Sequence, residues 1–395
     1  MGKYITTGLF LAGIVVIFLQ ACNNPTQEAD VTHPVDATQY ISVNPDSVQF
    51  SFVIMGCNRV DGKDINDSNS NASTANVPEL QRTFTEVAAL NPNPVFFFFL
   101  GDEVLGLTQK HKTLQAELKA WRKQYENDTF SPLPSSGIKM VAMPGNHEML
   151  YEYKDKKGNT QELPNAMALP VWLKEMGSFM PDSVTINRVG GPDSLNNLAT
   201  YSFTYGNTHF IIMNTDTYDT TGAIGMAPAA WINADIIAAR KDSTVQHIFL
   251  LGHKPAIVSK KLYHADNDSV MDTSVVKSIW PVMDSNQVEA MLSAHSHQYN
   301  RIQPDSGMAY QIIAGNGGSP YEGALMHKDS IAHQFYGYTI VYVMKNKQVI
   351  VQSMGRTVAY KHYLRSLTPA DSTTVRDRVN ISWGTNAGTY VKQKK

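Results

Sequence analysis

Apolar residues recur along this chain in two alternating rhythms. Short, mostly apolar runs, QFSFVI (49–54), VFFFFL (95–100), IKMVAM (138–143) and HIFLLGH (247–253), read as buried strands. Between them, VPELQRTFTEVAAL (77–90), HKTLQAELKAWRKQY (111–125) and PAAWINADIIAAR (228–240) space their apolar residues at helical intervals. TYSFTYGNTHFIIMN (200–214) predicts a hairpin turning at Gly206-Asn207, and GYTIVYVMKNKQVIVQSMG (337–355) predicts a closing one. QVEAMLSAHSH (287–297) and YQIIAGNGG (310–318) repeat the form of a strand running into polar residues. Strands alternating with helices predict a layered α/β domain.

The two ends break the rhythm. Lys3 and the apolar stretch GLFLAGIVVIFL (8–19) have the form of a signal peptide, too short for a comfortable membrane span. LQAC (19–22) resembles a bacterial lipobox, which implies export, lipidation of Cys22 and a membrane anchor. Asn23 in place of Asp favours the outer membrane or cell envelope by the same likeness. An ordinary signal peptide with an incidental Cys22, or an uncleaved anchor, is the plainer alternative. Residues 23–47 are polar and aperiodic and predict a flexible tether. The domain is expected over 48–355, with 356–395 as a polar C-terminal extension.

Composition narrows the classes further. The 395 residues are 43% hydrophobic and 17% charged, enough for a substantial core. A net charge of −2 with no basic block gives no nucleic-acid-binding footprint. Of the two cysteines, Cys22 is consumed if lipidated, which leaves Cys57 with no disulfide partner.

Cys57 stands in MGCNRV (55–60), at the end of the first strand, and other strand ends carry residues of related chemistry. LGDEV presents Asp102, PGNHE presents Asn146 and His147, LLGHKP presents His253, and SAHSH presents His295 and His297. Glycines 101, 145 and 252 allow a sharp turn after each strand. Taken singly, each His is more simply a satisfied core histidine. H-x-H on a strand carries more weight, because a period of two puts both rings on one face. Together, oxygen and imidazole groups at one sheet edge suit a borderline divalent metal such as Zn, Mn or Fe.

GDEV, GNHE, GH and AHSH in this order, with HQYNRI and YQIIAGNGG after them, resemble the calcineurin-like metallophosphoesterases, and more loosely the purple acid phosphatases. The resemblance runs from about residue 49 to 355. It implies a four-layer α/β/β/α sandwich of two mixed sheets, with the metal site at the strand ends. It also implies hydrolysis of a phosphoester, in a small molecule or a macromolecule, by in-line attack of a metal-bound hydroxide. Asp102 would bridge two ions, Asn146, His253 and His295 would complete the second site, and His297 would serve the first. His147 would stabilise or protonate the leaving oxygen. Arg59, Asn146, His147 and Tyr299 are the expected substrate contacts.

The first strand departs from the family, which normally opens with Asp-x-His where this chain has Cys57 and Arg59. Three readings stand open. Cys57 ligates the first metal as a thiolate, giving two ions. Alternatively the first metal is lost and Arg59 grips the phosphate, giving one. In the third, the pocket binds a phosphorylated ligand with weak turnover or none. A nucleophilic Cys57 is a further alternative, but no thiol-hydrolase motif surrounds it. If Tyr299 is only packing and Arg301 pairs with a carboxylate, neither lines the pocket.

Overall fold

Two sheets face each other across a layer of aromatic side chains. The computed structural model describes residues 43–59, 77–181, 187–188, 199–218, 224–257, 271–303, 309–319, 330–333, 335–356 and 372–383. The first sheet has the order β18-β17-β16-β1-β2-β3. It comprises β1 (Val48–Met55), β2 (Phe96–Phe99), β3 (Lys139–Ala142), β16 (Tyr336–Met344), β17 (Val349–Arg356) and β18 (Thr374–Asn380). β1, β2 and β3 run parallel, and the other three pair antiparallel.

The second sheet has the order β15-β13-β14-β12-β11-β8-β7-β6. Its parallel centre is β8 (Thr208–Met213), β11 (His247–Gly252), β12 (Ala290–Ser293) and β14 (Tyr310–Ala314). β6 (Asn187–Arg188), β7 (Tyr201–Tyr205), β13 (Tyr299–Ile302) and β15 (Ser330–His333) flank it antiparallel.

The run FFFF in β2 shows why a strand with no polar alternation is stable here. Phe96 and Phe98 point between the sheets, where Phe52 meets Phe98 at 5.4 Å, Phe210 at 5.2 Å and Phe249 at 5.4 Å, all edge-on. Phe97 and Phe99 point the other way, to Phe84 of α1 (Val77–Ala88) and Trp121 of α2 (His111–Tyr125). Both faces are buried, and each fully buried ring contributes roughly 1.5–3 kcal/mol by area alone.

The helices complete the outer layers. α1, α2 and α4 (Ala168–Met176) cover the first sheet, through Leu80, Phe84, Leu118, Trp121 and Trp172. α5 (Ala229–Lys241) and α6 (Thr273–Ser285) cover the second, through Ile232, Ile236, Val275 and Ile279. This is the expected four-layer α/β/β/α sandwich of mixed sheets. The single helical turn α3 (Asn146–Met149) follows β3 and leads into the hairpin β4 (Leu150–Lys154) and β5 (Thr160–Pro164). In the connection from β8 to β11, β9 (Thr217–Tyr218) and β10 (Ile224–Met226) pair separately as a two-stranded ribbon.

One boundary differs from the sequence expectation. The chain beyond 355 does not all lie outside the domain, because Thr374–Asn380 pairs with β17 as the edge strand of the first sheet. Its inward carboxylate Asp377 is buried and is bonded by Tyr299 Oη at 2.7 Å and by Arg301 Nε at 2.7 Å. An edge strand needs few apolar residues when a polar network fills its inner face, so its composition reads as a tail. The expected signal peptide, Cys22 and most of the tether lie outside the described residues. Pro45–Ser47 at the tether's end forms a single 3-10 turn leading into β1.

Candidate metal and phosphate site

Five strands deliver the candidate groups to one edge: β1 before Cys57 and Arg59, β2 before Asp102, β3 before Asn146 and His147, β11 before His253, and β12 before His295 and His297. The turns after them leave no room for extra atoms. At Gly101, with φ +86°, a Cβ would stand 2.6 Å from His253 Nδ1 and 2.8 Å from the Gly145 nitrogen. Cys57, Arg59, Asp102 and His295 themselves hold positive φ, at 61°, 54°, 60° and 64°. Such backbone costs about 1–3 kcal/mol per residue and clusters at functional sites.

Hydrogen bonds hold that conformation in place. Asn58 N and Arg59 N donate to the Asp102 carbonyl at 3.0 and 2.8 Å, and Ser319 N donates to the Cys57 carbonyl at 2.9 Å. Buried Glu148 ties two ligand turns together, accepting from Asp102 N (3.0 Å), Gly145 N (2.8 Å) and Val104 N (3.0 Å). Its place three residues after Gly145 is the spacing of a capping box, the one signal that could have singled it out.

On one side, lone pairs converge. His253 Nε2 lies 3.0 Å from Asn146 Oδ1, 3.1 Å from His295 Nδ1 and 3.2 Å from Asp102 Oδ1. His295 Nδ1 and Asn146 Oδ1 are 3.2 Å apart. His253 Nδ1 donates to the Leu100 carbonyl at 2.7 Å, which leaves Nε2 bare. Asn146 directs its Nδ2 at Glu162, at 3.1 and 3.2 Å, which turns Oδ1 inward. With His295 Nδ1 bare and Asp102 ionised, a cation between these atoms satisfies all four lone pairs at once. These separations are close to those among donors held about 2 Å from one ion, so the set fits a divalent metal.

Burial shifts the acidity of the same groups. It holds His253 below and His295 well below the ordinary histidine value, and it pushes Asp102 up to about 8 against the opposing pull of Arg59. Without a cation, the cluster therefore keeps a proton on Asp102 at neutral pH.

The other side is built around Arg59. Its Nε donates to Ser319 Oγ at 3.0 Å, its Nη1 to His147 Nε2 at 3.1 Å and its Nη2 to His297 Nδ1 at 3.3 Å. Cys57 is fully buried, and its Sγ accepts the His295 N–H at 3.0 Å. Cys57, Asp102 and His297 offer one donor atom each, all within 4.8 Å of one another. That spacing alone admits an ion, whereas the guanidinium against His297 opposes a second positive charge there.

Three expectations change. His147 is not set up as an acid: its Nδ1 donates to the Leu105 carbonyl at 2.6 Å, while Nε2 accepts from Arg59. Burial first, then Arg59, holds it well below the ordinary histidine value, so it is neutral. Tyr299 does not line the site, since its side chain is buried and its hydroxyl is committed to Asp377. Nor do the rings of the H-x-H pair converge by strand alternation. β12 ends at Ser293, and the tight turns that follow send His295 to His253 and His297 to Arg59. Glu162 and Ser319 carry no motif, and sequence reasoning passed over both.

Comparisons with known proteins bear on the family and the fold. The family described as calcineurin-like phosphoesterase matches residues 64–299. An uncharacterised protein of Mycobacterium tuberculosis, in two strains, is 28% identical over 116 residues, 27% of this chain. The chain spans only 21% of the length of those relatives. Among solved structures, yellow lupin purple acid phosphatase PPD1 aligns with TM-score 0.52 and 13% identity over 84% of this chain and 53% of its own. PhoD aligns with TM-score 0.51 and 11% identity over 85% and 70%. Plasmodium GAP50, an anchor in the inner membrane complex, aligns with TM-score 0.51 and 14% identity over 85% and 89%. At such identities the likeness shows the fold. The family match covers more than half of the chain, and the protein belongs to the calcineurin-like phosphoesterases.

Proposed function

We propose that this protein is an exported, lipid-anchored phosphoester hydrolase that works with one divalent metal ion and the Arg59 guanidinium. The observation that carries the reading is the convergence of His253 Nε2, His295 Nδ1, Asn146 Oδ1 and Asp102 Oδ1 beside a fixed arginine. Two imidazoles, an amide and a carboxylate suit Zn, Mn or Fe. When bound, the ion supplies Lewis-acid activation of water and of the phosphoryl group.

The protein's own groups do the rest. Asp102 gives up its proton to accept a cation, and Glu148 keeps the Asp102 and Asn146 turns in register. Arg59 presents its fork to phosphate oxygens, a bidentate grip that Lys cannot reproduce. His147 and His297 orient that fork before substrate arrives. Arg59 thus takes over part of the charge that a first metal gives other family members, and Cys57 packs beneath the site.

The test is turnover of an aryl phosphate by the metal-loaded protein, with Asp102→Asn beside it. Hydrolysis that Asp102→Asn abolishes is the expected result. A protein that binds metal and phosphate without turnover fits the second reading, capture of a phosphorylated ligand. Anchoring at Cys22 is tested separately, by detergent partitioning of the full chain and of Cys22→Ala.

A further inference from the structure

The hairpin β4–β5 follows directly on the helical turn that carries Asn146, and it folds back to place Glu162 against that residue. Both Glu162 oxygens accept from Asn146 Nδ2, at 3.1 and 3.2 Å, while Asn146 Oδ1 faces His253 and His295. An asparagine amide has two nearly isosteric ends, and only the oxygen can accept a cation. Flipped, Asn146 would aim two N–H groups into the cluster and its oxygen at a carboxylate. We infer that Glu162 is a positioning residue that locks the Asn146 amide with its oxygen toward the metal.

A further observation agrees. Glu162 stands directly opposite Glu152 in the hairpin, a like-charge pair that weakens a ladder, so sheet formation alone does not favour it. The residues between α3 and α4, outside every family motif, therefore brace the metal site. Outer partners of this kind typically change metal affinity 10–100-fold when removed.

This inference rests on the metal-dependent reading above, and one titration separates the two. Zn2+ affinity of the full chain is measured by competition with a chromogenic chelator, for wild type, Glu162→Ala, Glu162→Gln and Glu152→Ala. Melting of each metal-free variant is followed in parallel. The expected pattern is a 10–100-fold weaker affinity in Glu162→Ala, with wild-type melting. Glu162→Gln keeps an acceptor oxygen and stays within about threefold of wild type, and Glu152→Ala is unchanged. Unchanged affinity in Glu162→Ala overturns the inference, and so does equal loss in Glu162→Gln, which makes Glu162 a direct anionic ligand. If wild type itself binds no Zn2+, it is the metal-dependent reading that fails.

Discussion

Arg59 Nη2 donates to His297 Nδ1 across 3.3 Å, so a permanent cation touches the imidazole that the family resemblance assigns to a first metal. Arg59→Ala should lower kcat/KM on an aryl phosphate by about 10²–10³-fold, the usual loss when one preorganised donor is removed. Arg59→Lys should recover little of it, because the ammonium lacks the planar fork. Metal content should be the same in all three proteins. A lysine variant with near wild-type activity would contradict the assigned role.

Metal binding should depend on pH through Asp102. Its carboxyl holds a proton up to about 8 in the metal-free protein, and an incoming ion must displace it. Zn2+ affinity should rise about tenfold per pH unit between pH 6 and 8 and then level off. A flat titration over that range would show that Asp102 does not ligate.

Folding stability of the metal-free protein runs the other way. Asp102 is raised to about 8 and Glu148 to about 7, so their contribution is full below the ordinary carboxylate range and lost as pH rises through those values. His147, His253 and His295 are lowered, and their contribution is lost only as pH falls through the ordinary histidine range near ~6.5. Above that range the carboxylates dominate. The metal-free protein should therefore melt at a lower temperature at about pH 8.5 than at about pH 6.5, a difference that bound metal removes. Calorimetry at the two pH values checks it.

Asp377 pairs with Arg301 at 2.7 Å and accepts from Tyr299, joining the edge strand of one sheet to β13 of the other. Asp377→Ala leaves the mostly buried guanidinium uncompensated and should destabilise the fold by about 3–5 kcal/mol, read by urea unfolding. Truncation after residue 356 should be at least as damaging. A truncated chain that melts like wild type would make β18 dispensable.

These residues mark where sequence was legible and where it was not. VFFFFL announces a strand buried on both faces, because packing on each side demands apolar residues at every position. Asp102, Asn146 and His253 are legible for a related reason: a glycine turn after a buried strand can present a polar residue only at the sheet edge. The edge strand around Asp377 escapes, since its inner face is satisfied by hydrogen bonds with Tyr299 and Arg301 rather than by hydrophobic burial. Tyr299 follows H-x-H closely in sequence, which suggests the pocket, whereas tight turns intervene before β13 and its hydroxyl goes to Asp377. Glu162 lies in a polar hairpin whose pairing to Asn146 is tertiary, and no local pattern encodes it.

Glu148 gives a further check on the site's scaffold. Glu148→Gln keeps the shape of the side chain but replaces one acceptor oxygen with a donor facing backbone N–H groups. A loss of about 1–3 kcal/mol in stability is expected, with weaker Zn2+ binding, since both ligand turns lose their tie. Unaltered melting would mean that the three amides are held by other means.

The most direct test of the account is metal per chain, by elemental analysis of protein purified without chelator, beside Cys57→Ala. The account predicts about one ion per chain in both proteins, with Arg59 supplying the remaining positive charge. About two ions in wild type, falling towards one in Cys57→Ala, would contradict it and make Cys57 a thiolate ligand of a dinuclear centre.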